Sequence, residues 1–382
     1  RLVLGLCSIA LVGCDDRESP VGFAGPWEHG DAEPEDGDGP PDGEPDGDPN
    51  GDPDDPNDEP QGGNPWDDLP GCTGEVMTLD VETPNVMLVL DKSGSMTRNT
   101  WRPGGTGDPE TRWSSLHEVV TDLVTTFDTR VNFGAALFPA TGIDGEVFEA
   151  ACGVADAAEV PVAPGNGAAI LAAIPAGDAA THGGTPATAG ILNALDALGD
   201  APENEPAAMI LVTDGIANCT GPDDIRSYDA GLAQAVKDAY DHDRIPTYVV
   251  GIDIADTLDD ASGVNPREAL DDVARQGGAP RPGNDAFYSV ADSVELTAAM
   301  DDIAARIACT VDLPTPPSEP NFMQVSIGGT MLDHVDDCNT ENGWRFTADH
   351  GPRTNIELCG TACTDLRAER TLETKYSCPP EG

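Results

Sequence analysis

Residues 86–96 read VMLVLDKSGSM, and the fold predicted for the chain follows from this stretch. Its five apolar residues, Val86 to Leu90, indicate a strand buried on both faces, as in a parallel sheet covered by helices. The strand ends on Asp91, and two serines follow on a loop in which Gly94 is expected to allow a tight turn. In open α/β sheets ligands bind at the carboxyl ends of the strands, so the stretch also indicates a functional site.

Apolar runs and amphipathic helices alternate along the rest of this region. Further strands are predicted at 131–138, 208–213, 247–252 and 287–290. Helices are predicted at 113–127, around 191–198, around 232–240, from 266 onward and at 294–307. Such alternation is typical of α/β proteins with crossover connections. The predicted fold is therefore α/β, with a doubly wound, mostly parallel, Rossmann-like sheet flanked by helices.

The chain is strongly acidic. Among its 382 residues, 70 Asp and Glu stand against 19 Lys and Arg, which gives a formal net charge of -51. A protein with this charge repels phosphate backbones and anionic lipid surfaces. We therefore expect no nucleic-acid partner and no binding of the protein surface itself to a membrane.

A short apolar run at residues 2–13 fits the apolar region of a secretory signal, because a helix that spans a bilayer needs about 20 such residues. The tetrapeptide Leu11-Val12-Gly13-Cys14 resembles the lipobox of bacterial lipoproteins. That resemblance implies a signal peptide at 1–13 and a lipid on Cys14, which would be the only membrane anchor. A plain signal peptide that contains a cysteine is the alternative. The expected location is the cell envelope, at the outer membrane or the cell surface.

Residues 14–71 are predicted to be an acidic, disordered tether. From 28 to 68 the chain is almost wholly Asp, Glu, Gly, Pro and Asn, which cannot bury enough apolar surface to offset chain entropy. One segment matches the first half of an EF-hand calcium loop, at Asp46, Asp48, Asn50 and Gly51. Its twelfth position is Asn57 instead of Glu, and prolines interrupt it, so a solvated spacer is favoured over a calcium site.

A proline cluster at 314–317 predicts a boundary between two folded parts. The larger part, 72–313, contains the predicted sheet. The smaller part, 314–382, contains short β-like runs at 323–327 and 354–358 together with four cysteines. It is predicted to be a small cystine-rich β module.

Five oxygen-bearing side chains fall at or near predicted strand ends and form the candidate metal site. They are Asp91, Ser93, Ser95, Thr185 in GGTP, and Asp214 in LVTDG. Hydroxyls with two carboxylates suit a hard cation, and Mg2+ prefers such oxygen ligands. Zinc is disfavoured because the set contains no thiolate or imidazole.

Residues from about 80 to 308 resemble a von Willebrand factor type A (vWA) domain, and DKSGSM, GGTP and LVTDG resemble its metal-ion-dependent adhesion site. The resemblance implies that the five side chains above hold one Mg2+, or alternatively Mn2+ or Ca2+. It implies that the serines bind the ion directly and that the carboxylates bind it directly or through water. It also implies that an acidic side chain of a protein partner completes the coordination.

The predicted function is that of a cell-envelope lipoprotein which binds a protein ligand or adhesion partner through this cation. The alternative is a structural envelope protein whose metal only stabilises the fold. An enzyme is not expected, because the chain has no HExxH, no GxSxG around the two serines and no phosphate-binding glycine loop with a lysine. A metal-assisted hydrolase is a weaker third hypothesis, since no base is positioned for it.

Four basic side chains lie on or just after the loop that carries Ser93 and Ser95; they are Lys92, Arg98, Arg102 and Arg112. They are expected either to form a less negative rim around the ion or to be ordinary solvated side chains. A rim of this kind would offset the repulsion between the acidic chain and an acidic partner.

Eight cysteines remain after Cys7 and Cys14 are set aside, and an even number in an exported chain favours disulfides. We predict that Cys152 pairs with Cys219 and ties together the loops around the site. Cys309 is expected to pair with Cys72, with Cys378 or with another cysteine of the last module. The four cysteines of that module also allow a thiolate zinc site, which export disfavours; they are Cys338, Cys359, Cys363 and Cys378.

Overall fold

The computed structural model describes residues 76–140, 151–199, 205–220, 227–260, 262–317, 320–338, 340–347 and 355–376. The predicted signal peptide, the lipid site at Cys14 and the acidic tether lie outside the described residues, as do Cys72 and Cys378. No helix in the described part of the chain combines the length and the apolar character needed to cross a bilayer.

The described strands are β1 Val76–Asp80, β2 Asn85–Asp91, β3 Thr100–Trp101, β4 Glu110–Thr111, β5 Asn132–Phe138, β6 Val160–Ala163, β7 Ala207–Thr213, β8 Thr247–Ile252, β9 Tyr288–Val290, β10 Thr310–Asp312, β11 Met323–Ile327, β12 Thr330–Leu332, β13 Gly343–Phe346, β14 Asn355–Cys359 and β15 Thr371–Tyr376. The described α-helices are α1 Ser95–Arg98, α2 Arg112–Phe127, α3 Gly167–Ala173, α4 Ala187–Gly199, α5 Gly231–Asp243, α6 Pro266–Gln276, α7 Ser293–Ile307 and α8 Thr361–Glu369. Two short 3-10 turns lie at Pro103–Gly105 and Pro320–Phe322.

A six-stranded sheet forms the centre of the larger folded part, in the order β6-β5-β2-β7-β8-β9. Five of these strands run parallel to one another: β5, β2, β7, β8 and β9. At one edge of the sheet, β6 pairs antiparallel with β5. The predicted fold class, a mostly parallel α/β sheet flanked by helices, is confirmed. The antiparallel edge strand β6 was not among the strands that the sequence predicted.

Alternating side chains of β2 enter two separate cores. Val86, Leu88 and Leu90 pack in one core with apolar side chains of α2 and α7, whereas Met87 and Val89 pack in the other with those of α4, α5 and α6. Every residue of β2 is buried. Helices on both faces therefore explain why this strand is a continuous apolar run instead of an alternating one.

Side-chain caps start three of the helices that cover the sheet. At the start of α2, Thr111 Oγ1 accepts a hydrogen bond from Ser114 N at 3.0 Å. Asn265 caps α6, whose first residue is Pro266, and Asp292 caps α7. Each cap satisfies amide groups that have no partner inside the helix, so these helices begin at fixed residues.

β3 and β4 form a separate two-stranded sheet, and the other strands form a second, all-antiparallel β region with its own core. One sheet has the order β1-β15-β11-β12, another has the order β10-β14-β13, and α8 packs with them. β1 lies before the central sheet in sequence but pairs with β15, with Val76 opposite Lys375. The two ends of the described chain therefore belong to one sheet, even though the predicted domain division places β1 in 72–313 and β15 in 314–382.

Candidate metal centre

The site lies where the order of the parallel strands reverses. From β2 the chain crosses to β5 on one side and later to β7 on the other, so β2 and β7 are neighbours whose following connections run in opposite directions. Such a switch point leaves a crevice at the carboxyl ends of the strands. Asp91 is the last residue of β2, and Asp214 directly follows β7.

Asp91 is fully buried. Its Oδ1 accepts a hydrogen bond from Ser93 N at 2.7 Å, and its Oδ2 accepts one from Thr213 Oγ1 at 2.6 Å. Burial, and then the negative charge of Asp214, raise the pKa of Asp91 to about 7. The carboxylate is thus held by two neutral donors in surroundings that favour a positive charge beside it.

A chain of short hydrogen bonds connects the hydroxyls to the second carboxylate. Ser93 Oγ lies 2.9 Å from Ser95 Oγ, and Ser95 Oγ donates to Asp214 Oδ1 at 2.6 Å. Asp91, Ser93, Ser95 and Asp214 therefore belong to one small cluster of oxygen atoms. Two separate loops, one after β2 and one after β7, supply its members.

Thr185 lies in a loop that adjoins the loop of Ser93 and Ser95. Gly94 N donates to Gly183 O at 3.2 Å, which joins the two loops through their backbones. Asn218 fixes the backbone of Thr185 on both sides: Thr185 N donates to Asn218 Oδ1 at 2.7 Å, and Asn218 N donates to Thr185 O at 2.9 Å. Thr185 is buried. Thr185, the fifth predicted ligand, therefore lies on a loop that is hydrogen-bonded to the loop of Ser93 and Ser95 and is held in place by Asn218.

A disulfide lies against the Thr185 loop. The structure pairs Cys152 with Cys219, the pairing predicted from the sequence, with their Cα atoms 5.7 Å apart. A Cβ on Gly184 would lie 2.7 Å from Cys219 Sγ, so the loop packs closely on the sulfur atoms. Gly184 N also donates to Ala151 O at 2.8 Å. The disulfide thus connects the loop after β7 to a segment that packs against the Thr185 loop.

The other two described disulfides lie in the β region. Cys309 pairs with Cys363, and Cys338 pairs with Cys359. Cys309 therefore bonds a cysteine of the last module, and the candidate pairings with Cys72 and Cys378 are wrong. The reason is that the chain after α7 enters β10, which pairs directly with β14 near Cys359 and α8.

The four predicted rim cations do not lie on one surface. Arg98 and Arg102 are exposed, but Lys92 and Arg112 are buried. The predicted rim of four surface charges is therefore wrong for two of its members. Lys92 follows β2 directly, and its backbone N donates to Phe138 O at 2.8 Å, so the residue belongs to the sheet instead of the loop surface.

Arg112 is the functional candidate whose role the sequence did not reveal. Its Nη1 donates to Asp214 Oδ2 at 2.7 Å, and its Nη2 forms an ion pair with Asp253, the residue after β8. Thr213 and Asn218 were likewise not predicted, although Thr213 stands inside the LVTDG motif. The two carboxylates that pair with Arg112 lie 102 and 141 positions further along the chain. No local sequence pattern predicts contacts at such separations.

Gly94 does not have the role that the sequence suggested. Its φ of −63° and ψ of −19° lie in the right-handed helical region, which any residue adopts. A Cβ on Gly94 would instead lie 2.2 Å from an Arg98 guanidinium nitrogen. That nitrogen is the far end of an exposed, flexible side chain that can move aside, so neither the turn nor the packing requires glycine at this position.

The donor set fits a hard divalent cation. It consists of carboxylate and hydroxyl oxygens, which Mg2+ and Mn2+ prefer, and it lies at the end of a rigid, fully buried strand. Among the described residues no group of three or more His, Cys, Asp or Glu side chains is arranged to hold a metal. A cation at this site would therefore depend on the hydroxyls as much as on the two carboxylates.

No family model and no curated protein matches the chain. Similar solved structures include the pilus adhesin SpaC from Lactobacillus rhamnosus GG, with a TM-score of 0.45 and 16% identity over 79% of this chain and 40% of that chain. They also include a von Willebrand factor type A protein from Catenulispora acidiphila, with a TM-score of 0.41 and 14% identity over 80% of this chain and 61% of that chain.

A third similar structure is the manganese-loaded TRAP protein of Plasmodium vivax, with a TM-score of 0.38 and 17% identity over 60% of this chain and 76% of that chain. The present chain spans about two fifths of the length of the pilus adhesin. Identities and TM-scores this low do not establish the function of the chain.

Proposed function

We propose that this protein binds one divalent cation through Asp91, Ser93, Ser95, Thr185 and Asp214, and that it binds a protein partner through that cation. The observation that carries the proposal is the hydrogen-bonded cluster of Asp91, Ser93, Ser95 and Asp214 at the switch point of the sheet. The partner supplies an acidic side chain to the ion. The activity is adhesion, and the partner is not chemically changed.

The balance of charge in the cluster supports a resident cation. Ser95 donates to Asp214, Ser93 N donates to Asp91, and the charge of Asp214 is one cause of the raised pKa of Asp91. Burying a carboxylate without an opposite charge is costly. The hydrogen-bond donors on Asp91 are an amide and a hydroxyl, so a cation beside Asp91 lowers the free energy of its ionised form.

The proposed setting of the site is the bacterial cell envelope. A lipid on Cys14 anchors the chain, and the acidic segment 14–71 holds the site away from the membrane. Mg2+ is the proposed ion because it is a hard cation that retains water readily, and the partner's carboxylate can replace such a water. Mn2+ and Ca2+ are the alternative ions.

Calorimetric titration with MgCl2 and MnCl2 tests the ion. We expect the wild-type protein to bind one ion and Asp91→Asn to lose at least about tenfold in affinity, because a formal charge leaves the site. Asp196→Asn is the matched control, since Asp196 is exposed on α4 and its replacement removes the same charge. Equal affinity of all three proteins contradicts the assignment of the site.

The structural alternative, in which the ion only stabilises the fold, makes a different prediction. Adhesion requires that immobilised protein retain a specific partner from an envelope extract with magnesium, and release it with EDTA. Asp91→Asn should retain none of it, while Asp196→Asn retains as much as the wild type. If chelation only lowers the melting temperature and no partner depends on magnesium, the structural alternative is correct.

A further inference from the structure

Arg112 occupies a position that the proposed binding of the ion does not explain. It is the first residue of α2, a helix of 16 residues, where the positive end of the helix dipole disfavours a cation. It is also buried. A buried cation at the amino end of a helix needs a local compensation, and two carboxylates provide it.

The guanidinium of Arg112 joins the ends of two neighbouring strands. Nη1 binds Asp214, which follows β7, and Nη2 binds Asp253, which follows β8. Arg112 Nε is buried and has no hydrogen-bond partner among the described residues. The two carboxylates therefore set the orientation of the guanidinium.

Asp214 is the one carboxylate that the guanidinium shares with the candidate metal centre. Its Oδ2 accepts from Arg112 at 2.7 Å, while its Oδ1 accepts from Ser95 at 2.6 Å. Both oxygens of Asp214 are thus engaged by the chain itself. An incoming cation has to share this charge with the guanidinium, and the two positive charges repel one another across Asp214.

We propose that Arg112 is a built-in counter-cation of the metal centre, which neutralises Asp214 when no ion is bound and lowers the affinity of the site for a divalent cation. This inference rests on the proposed function, because it assigns the regulation of the same site. Asp253 moderates the effect, since it draws part of the guanidinium charge away from Asp214. Arg112 is therefore a positioning residue that sets ion affinity without contacting the ion.

The test is calorimetric titration of the full chain with MnCl2 for three variants. Arg112→Gln should bind Mn2+ at least about tenfold more tightly than the wild type, because Asp214 loses its competing cation. Arg112→Lys should remain within about threefold of the wild type, because the charge is kept. Asp253→Asn should bind about threefold more weakly, because the full guanidinium charge then acts on Asp214.

Arg102→Gln is the matched control. Arg102 is exposed and donates to Gly107 O within its own loop, so the same loss of charge should change the affinity by less than about twofold. A thermal melt in EDTA gives a second readout that does not require ion. Arg112→Gln should melt at a lower temperature than Arg112→Lys, because Asp214 is left buried without its partner.

The outcomes separate this inference from the proposed function. Unchanged or weaker Mn2+ binding by Arg112→Gln overturns the role of Arg112, even where the wild type binds the ion. If the wild type binds no ion but Arg112→Gln does, the proposed function is contradicted and the role of Arg112 is supported. If neither protein binds Mn2+, both are overturned. Should Arg112→Gln fail to fold, tighter or equal binding by Asp253→Asn overturns the role of Arg112.

Discussion

Thr213 holds the buried carboxylate of the site through one hydroxyl. Its Oγ1 donates to Asp91 Oδ2 at 2.6 Å and lies 3.2 Å from Gly215 O. Asp91 is fully buried, so water does not replace a donor that is removed. Thr213 therefore fixes the orientation of the first carboxylate of the cluster from the neighbouring strand.

Thr213→Val should reduce both stability and ion affinity. It keeps the shape of the side chain but removes the donor, and we expect the free energy of unfolding in EDTA to fall by about 1–3 kcal/mol. Urea denaturation measures this loss, and titration with MnCl2 measures the affinity. Thr213→Ser is the matched control because it keeps the hydroxyl. Equal stability of the two variants would show that the hydrogen bond contributes nothing.

The residues of the site differ in how far sequence alone could place them. Asp91 ends β2, Ser93 and Ser95 follow it, and Asp214 follows β7; continuous apolar runs reveal both strands, and the parallel order of the sheet brings their ends together. The contribution of Arg112 depends on the tertiary packing of α2 against two strand ends far away in sequence. A single arginine in an acidic chain gives no signal of which carboxylates it meets.

Helix α4 packs closely on the sheet beside the site. A Cβ on Gly190, the fourth residue of the helix, would lie 2.7 Å from the Cδ1 atom of Phe138. Phe138 is fully buried, ends β5 and stands opposite Asp91 in the register of β2 with β5. The glycine thus allows the helix to approach the strand end that supports Asp91.

Gly190→Ala should destabilise the protein although alanine favours helices. Higher helix propensity contributes about 1 kcal/mol, but overpacking against a rigid, buried ring costs about 1–3 kcal/mol. Gly199→Ala in the same helix is the control, because a Cβ there meets nothing within 4 Å. Thermal or urea unfolding should show a loss for Gly190→Ala and no loss for Gly199→Ala. Similar stability of the two variants contradicts the close packing.

Helices and strands with strong apolar patterns could be predicted from the sequence. Strands that depend on pairing with a strand distant in sequence could not. Sequence predicted β8 at 247–252 and β11 at 323–327, and the structure has both strands with these bounds. β1 and β15 were not predicted, because no residue of β1 is fully buried and the two strands depend on pairing across almost 300 positions. β6 is only four residues long and contains a proline, which weakens the strand signal.

In the whole molecule, the larger folded part is inserted in the sequence between strands of the smaller one. β1 precedes the central sheet and β15 ends the described chain, yet they pair along five residues. The disulfide between Cys309 and Cys363 fixes the end of α7 to α8 of the β region. The segment that carries the site therefore enters and leaves through the β region, and both of its ends are held there.

The net charge of the whole chain should act on the ion and on an acidic partner with opposite signs. A charge of -51 attracts divalent cations and repels carboxylates, and added salt screens both effects over a Debye length of ~8 Å at physiological ionic strength.

When NaCl is raised from about 20 to about 200 mM, we expect Mn2+ affinity to fall several-fold. At saturating Mn2+, the retention of a partner that supplies a carboxylate should increase over the same range. Titration calorimetry and retention on immobilised protein measure the two trends, with Asp196→Asn as a control for the loss of one surface charge. Ion affinity that does not change with salt would mean that local contacts, such as those of Arg112 and Asp214, decide the electrostatics of the site alone.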